Sequence, residues 1–279
     1  EGIIVKYVVT ADLSHPAARL TRAVSDYTMQ VYGVLCAELQ KIRHDPIELF
    51  TRAVQPLLWL LLFGVVMLKV RGLAPEGMSY LDYLSAGILA QSVLFVAIFF
   101  GISAIWDRDL GILHRMLVSP APRSAIVIGK GLAASFRGML QGGVVYVVAG
   151  LMGANLNLSP LNILGVMALI GFGCGLFATL SLAIACIVKS RERFMGIGQL
   201  ITMPVFFASN AIYPIALMPD WLKTISTFNP LTYQVDALRA LMINGAHSQF
   251  GILYDFAILF VITAALVILA SRLYSRMVA

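Results

Sequence analysis

Gly129-Lys130 is where a phosphate-binding loop would have to sit, since that chemistry needs Gly-x4-Gly-Lys-Ser/Thr. Position 124 is Ser and position 131 is Gly, so the pattern fails on both sides. Gly171-Phe172-Gly173-Cys174-Gly175 starts like a dinucleotide loop, but Leu176 ends the match inside an apolar run. Gly171 and Gly175, like Gly138 and Gly142, have the spacing of small residues at helix–helix contacts. His15, His44, His114 and His247 are scattered and none shares a metal-ligand spacing with another. Cys36, Cys174 and Cys186 form no disulfide framework. No metal and no cofactor is therefore expected on this chain, and no catalytic residue. The acidic residues avoid the centres of the apolar runs, with Asp82 and Asp255 near their ends. Proton-driven carriers use buried intramembrane carboxylates, so the energy source is expected to lie outside this chain.

One charged island interrupts the apolar pattern: Trp106-Asp107-Arg108-Asp109-Leu110-Gly111-Ile112-Leu113-His114-Arg115-Met116-Leu117-Val118-Ser119-Pro120. Leu110, Leu113 and Leu117 recur at i, i+3 and i+7, an amphipathic helical stripe. Asp107 and Asp109 suit a helix start, where negative charge meets the helix dipole. Pro120 and Pro122 end the segment. The expectation is a short helix over about 107–119 that touches something outside the membrane.

The elements around the island are built for lipid. The 279 residues are 59% hydrophobic and 12% charged, with mean hydropathy +0.87, against roughly 25% charged in a soluble domain. A spanning helix needs about 20 apolar residues. Six stretches qualify: about 53–70, 83–105, 124–150, 161–188, 194–214 and 250–271. The stretch 211–245 is broken by Pro214, Pro219 and Pro230 and reads as re-entrant or interfacial. Six spans with both ends on one side place sixteen of the 20 Lys and Arg there, leaving Lys69, Arg71, Lys223 and Arg239 opposite. That asymmetry puts both termini in the cytosol of a plasma or inner membrane protein. The net charge of +6 thus reflects membrane topology rather than nucleic-acid binding.

Residues 1–25 have no strong pattern and read as a loose arm. From Tyr27 the positions Val31, Leu35, Leu39 and Ile42 repeat at helical spacing, with Glu38, Gln40, Lys41 and Arg43 on other faces. This fits a helix in the membrane interface. The chain divides into 1–52, arm and interfacial helix, and 53–279, the membrane domain. Arg137 falls inside the third apolar run, where an arginine costs about 2.5–3.5 kcal/mol at mid-membrane. A boundary position or a wet or protein-lined cavity is expected for it. Asp236 and Arg239 are spaced to pair at i, i+3. Phe95, Phe99, Phe206, Phe207, Asn210 and Tyr213 are candidates for a route taken by an amphipathic substrate; lipid or helix packing is the plainer account of the same aromatics.

With these residues in view, the chain resembles the ABC-2 permeases, the membrane subunits of type-2 ABC exporters, near the drug-resistance and nodulation-factor exporters. The island matches the family's pattern through Asp107, Arg108, Gly111, Leu113, Met116, Leu117, Ser119 and Pro120, with Gly129-Lys130 following. The outer segment matches through Pro219, Trp221 and Leu222, then Asn229 to Tyr233, and Asp236 to Arg239. The resemblance covers about 30–279. It implies an all-α integral membrane protein: six transmembrane helices, an N-terminal interfacial elbow helix, and short outer re-entrant helices before the last span. It implies a separate ATPase subunit that carries ATP and Mg, and a second copy of the permease or a close relative. Membrane lipid and a hydrophobic substrate complete the expected partners, with no nucleic acid. The ATPase contact is expected at Asp107, Arg108, Gly111, Leu113, Arg115, Leu117 and Pro120, and on the elbow at Glu38, Lys41 and Arg43. The expected function is export of a drug, lipid or glycolipid. A membrane-embedded assembly subunit that moves nothing, or a secondary carrier, are the other readings.

Overall fold

The computed structural model describes residues 16–44, 47–66, 78–112, 122–188 and 190–274; for 16–23, 42–44, 47–50, 52 and 65 it describes the backbone alone. The elements are α1 (Pro16–His44), α2 (Ile47–Val66), α3 (Tyr80–Asp109), α4 (Arg123–Leu151), α5 (Pro160–Ile187), α6 (Arg191–Phe207), a 3-10 turn (Ile215–Leu217), α7 (Asp220–Phe228), α8 (Pro230–Met242) and α9 (Ile252–Leu273). Among the described residues there is no strand, only the isolated bridge Leu156–Ile243. Among the described residues four helices, α3, α4, α5 and α9, are long and apolar enough to cross a membrane. This is a multi-pass membrane protein. α2 holds a shorter apolar stretch, Ala53–Gly64.

The bundle is organised around α3 and α5, which pack on each other and on α4. α9 closes over α5 and α8. α4 and α5 run antiparallel through their glycines: a Cβ on Gly138 would lie 2.6 Å from Cys174 Cβ. The Gly171–Gly175 run is thus helix-packing surface in mid-α5, as its spacing predicts. α3 and α6 are also antiparallel. The Tyr83 hydroxyl donates to the Asn210 carbonyl at 2.8 Å near one end, and Arg191 reaches Asp109 at the other.

Three expectations change. The N-terminal helix begins at Pro16, inside the stretch read as a loose arm. α6 stops at Phe207, three residues past Pro204 and short of position 214. Finally, α3 runs unbroken through Asp107 and Arg108 to Asp109. Asp107 and Asp109 therefore sit in the last turn of a helix and not the first turn of a new one. Leu110 caps α3, and Gly111, at φ 70°, turns the chain away in a conformation glycine adopts readily. Leu113, Arg115, Leu117 and Pro120 lie outside the described residues.

Candidate functional site

Carboxylates at a helix C-terminus are opposed by the helix dipole, so the end of α3 needs cations nearby. It has them. Lys130, on the second turn of α4, places Nζ 2.5 Å from Asp107 Oδ2 and 2.6 Å from Glu38 Oε1 of α1. Lys41 Nζ lies 2.9 Å from Asp107 Oδ1 and 3.1 Å from Glu38 Oε1. Glu38 and Lys130 are 0% exposed and Asp107 2%. Two ammonium groups and two carboxylates thus join α1, α3 and α4 in one neutral knot. Taking any of these charges out of water is costly, and only their mutual contact and hydrogen bonds offset it. Tyr274, just past α9, is also fully buried. Burial first, then Asp107, Cys186 and Glu38, pushes its phenol up, so it stays neutral beside the knot.

Gly129 explains how close α1 comes. A Cβ there would meet Val34 Cβ at 2.7 Å. Gly129 lets the helices touch, and Lys130 then ties them. Outside the knot, Asp109 accepts from Arg108 at 2.9 Å and from Arg191 at 2.7 Å. The Arg191 guanidinium stacks on Trp106 at 3.5 Å, which fastens the start of α6 to the end of α3.

These positions place two of the expected contact residues inside the bundle. Glu38 and Asp107 face inward and are consumed by Lys130, so neither offers its carboxylate to a partner. Lys41 keeps 40% of its side chain exposed, and Arg108 is half-buried. Arg43 is in the last turn of α1, with its side chain outside the described residues. Lys130 was noted in the sequence only as part of a spacing. The available signal was its charge: a lysine one turn into an apolar helix needs a buried partner.

The proposed pathway residues fall into two groups. Phe95 and Phe99 stack at 6.2 Å between centroids. Phe99 lines a cavity of about 350 Å³ with Phe100, Trp106, Asp107, Lys41 and Arg137. Arg137 thus faces a protein-lined cavity, with its guanidinium 5.5 Å over the Phe100 ring. Phe206 and Phe207 touch each other at 5.3 Å and Trp59 at 6.4 and 6.5 Å. Trp59 carries no sequence motif, and only the packing of α2 brings it to these rings. Asn210 is buried, and its carbonyl accepts from Tyr83 and from Arg239, each at 2.8 Å. The Tyr213 hydroxyl donates to the Phe207 carbonyl at 2.5 Å.

Arg239 is thus taken by Asn210 and by the Tyr83 ring at 3.7 Å. Asp236 instead accepts from Ser248 Oγ and from the Gln249 and Phe250 amides. The expected i, i+3 pair is not made; each residue ties α8 to a different neighbour. Asn229 caps α8 by accepting from the Leu231 amide at 3.0 Å and donates to the Val205 carbonyl at 2.7 Å. Asn229, Asp236 and Arg239 are structural joints.

The profile of the ABC-2 type transporter family matches residues 29–243. The chain belongs to that family. The match takes in the knot, the aromatic groups and α8. Among its relatives, a putative transport permease ycf38 of Pyropia yezoensis is 30% identical over 247 residues, covering 85% of this chain and 79% of the relative. Nodulation protein J of Rhizobium leguminosarum bv. trifolii is 31% identical over 169 residues, 60% of this chain and 63% of the relative. The daunorubicin resistance permease DrrB1 of Streptomyces coeruleorubidus is 25% identical over 240 residues, 86% and 82%. The ABC-2 chain is accordingly an ABC transporter permease subunit, and its α3 end carries the knot that joins three of its helices.

Proposed function

We propose that this permease exports a hydrophobic or amphipathic compound, driven by a separate ATPase that grips the segment just beyond Asp109. The knot of Glu38, Lys41, Asp107 and Lys130 is the observation that carries this reading. A push on the segment after α3 is delivered at Asp107, and Lys130 and Glu38 pass it to α4 and α1 together, because parting any pair would strand a buried charge. Arg108, Leu113, Arg115 and Leu117 are the contact side chains in this reading, with Lys41 and Arg43 at its edge. ATP and Mg reside on the ATPase, and two permease copies face each other. α2 and α6 complete six crossings with α3, α4, α5 and α9, α7 and α8 form the outer re-entrant segment, and both termini are cytosolic. Two relatives bear names tied to daunorubicin resistance and nodulation, which supports a small amphipathic cargo.

The test replaces Arg108 and Leu113 by Ala and reconstitutes the permease with the ATPase that co-purifies with it. ATP hydrolysis should persist while export falls to background. Normal export by the double variant, or no ATPase in the purified complex, rejects the reading; the second outcome favours an assembly subunit.

A further inference from the structure

Asp236 and Asp255 are both buried, and one hydroxyl lies between them. Ser248 Oγ is 2.8 Å from Asp236 Oδ2 and 2.9 Å from Asp255 Oδ2. A serine hydroxyl has one proton and two lone pairs. One lone pair is occupied, since the Gly251 amide donates to Ser248 Oγ at 2.7 Å. The single hydroxyl proton can serve only one carboxylate. Asp236 Oδ2 also accepts from the Gln249 amide at 2.7 Å and the Phe250 amide at 3.2 Å, which is the environment of an anion. Among the described residues Asp255 has no such donors, and its Oδ1 has no hydrogen-bond partner there. The contact to Ser248 is satisfied only if Asp255 brings its own proton.

We infer that Asp255 is a proton-binding site: a neutral carboxylic acid that donates to Ser248, which in turn donates to the Asp236 carboxylate. This chain of two hydrogen bonds closes the loop between α8 and α9 and holds the first turn of α9 against α8. Loss of the proton puts two carboxylates on one hydroxyl, and one of the two contacts breaks. The released proton passes to water through the polar cavity of about 290 Å³ next door, which Asp236, Arg239, His247 and Gln249 line.

Among the described residues the other ionisable groups around Asp255 are few. On α8 they are Asp236, Tyr233 and, one turn on, Arg239. The loop supplies His247, and α9 itself Tyr254. α5 presents only Cys174 and Cys186, both deep in the bundle. α4 has Tyr146 near its loop end, with Arg123, Lys130 and Arg137 in its first half. Among the described residues no cation sits on Asp255 to favour its charged form: the Arg239 guanidinium is directed to Asn210 and Tyr83.

The inference does not depend on export. It is tested on the full-length protein in lipid, by infrared difference spectroscopy between pH 5 and pH 9, on the wild type and on Asp255→Asn and Ser248→Ala. The wild type should show the carbonyl stretch of a protonated carboxylic acid at low pH, lost as pH rises. Asp255→Asn should lack that band, and Ser248→Ala should keep it at a shifted frequency. The melting temperature should fall with rising pH in the wild type and less so in Asp255→Asn. An identical band in wild type and Asp255→Asn overturns the inference. So does a wild type without the band at any pH whose melting temperature rises with added sodium or calcium, which would make the pair a cation site. If Asp255→Asn does not fold, the band shift in Ser248→Ala decides alone, and an unshifted band counts against.

Discussion

Lys130 Nζ and Glu38 Oε1 are 2.6 Å apart, though 92 residues separate them in the chain. Neither side chain touches solvent. This pair, shared with Asp107, makes the N-terminal helix an integral part of the bundle.

Replacing Lys130 by Met should therefore destabilise the protein strongly. Two buried carboxylates would be left with Lys41 alone, and breaking a buried pair costs about 3–5 kcal/mol. Unfolding in a graded denaturing detergent measures it. The double variant Lys130→Gln with Glu38→Gln should recover part of the loss, since the coupling of contacting residues is about 0.5–3 kcal/mol. A Lys130→Met variant as stable as the wild type would remove the knot from the account.

Gly87 should not tolerate Ala. A Cβ there would lie 2.1 Å from the Ala211 carbonyl oxygen, a backbone atom with little freedom to move. A loss of about 1–3 kcal/mol is expected, the usual scale of overpacking. Gly196 in α6 is the control, with nothing within 4 Å of the added atom. Gly196→Ala should be neutral or gain up to about 1 kcal/mol from helix propensity. Paired melting curves compare the two.

Asn229→Ala removes the α8 cap and the tie to Val205 together. A lost cap costs about 0.5–2 kcal/mol, and the freed Val205 carbonyl places this variant at the upper end. Asn229→Asp keeps the cap but not the donor, so it should fall between the two. Proteolysis of the 205–230 region resolves the order.

Arg191→Ala should cost little in stability, under about 1 kcal/mol, because its contact with Asp109 is exposed. What it should change is transport, since it fastens α6 to the α3 end through Trp106. The expected result is reduced export at unchanged melting temperature. Export equal to wild type would show that the α3–α6 tie carries no motion.

Much of this was legible in the sequence. Hydropathy located α3, α4, α5 and α9, because a length of apolar residues is a local property. The glycine spacings of α4 and α5 marked helix-contact faces for the same reason, though not which helices would meet. Where α3 ends was not legible. The acidic residues at 107 and 109 look like a helix start by the dipole rule, and only cations from α4, α1 and α6 make them acceptable at a helix end. Asp236 and Arg239 had the right spacing to pair, but buried amides and a carbonyl outcompeted it. Lys130 stood in plain sight; its partners are 23 and 92 residues away, and no periodicity reports a distance of that kind.

Those separations set an order of events during synthesis. Glu38 and Lys41 leave the ribosome first, Asp107 next and Lys130 last, so until α4 is made the two carboxylates have Lys41 alone. The pairing that holds the N-terminal helix on the bundle is thereby completed only once α4 has been made.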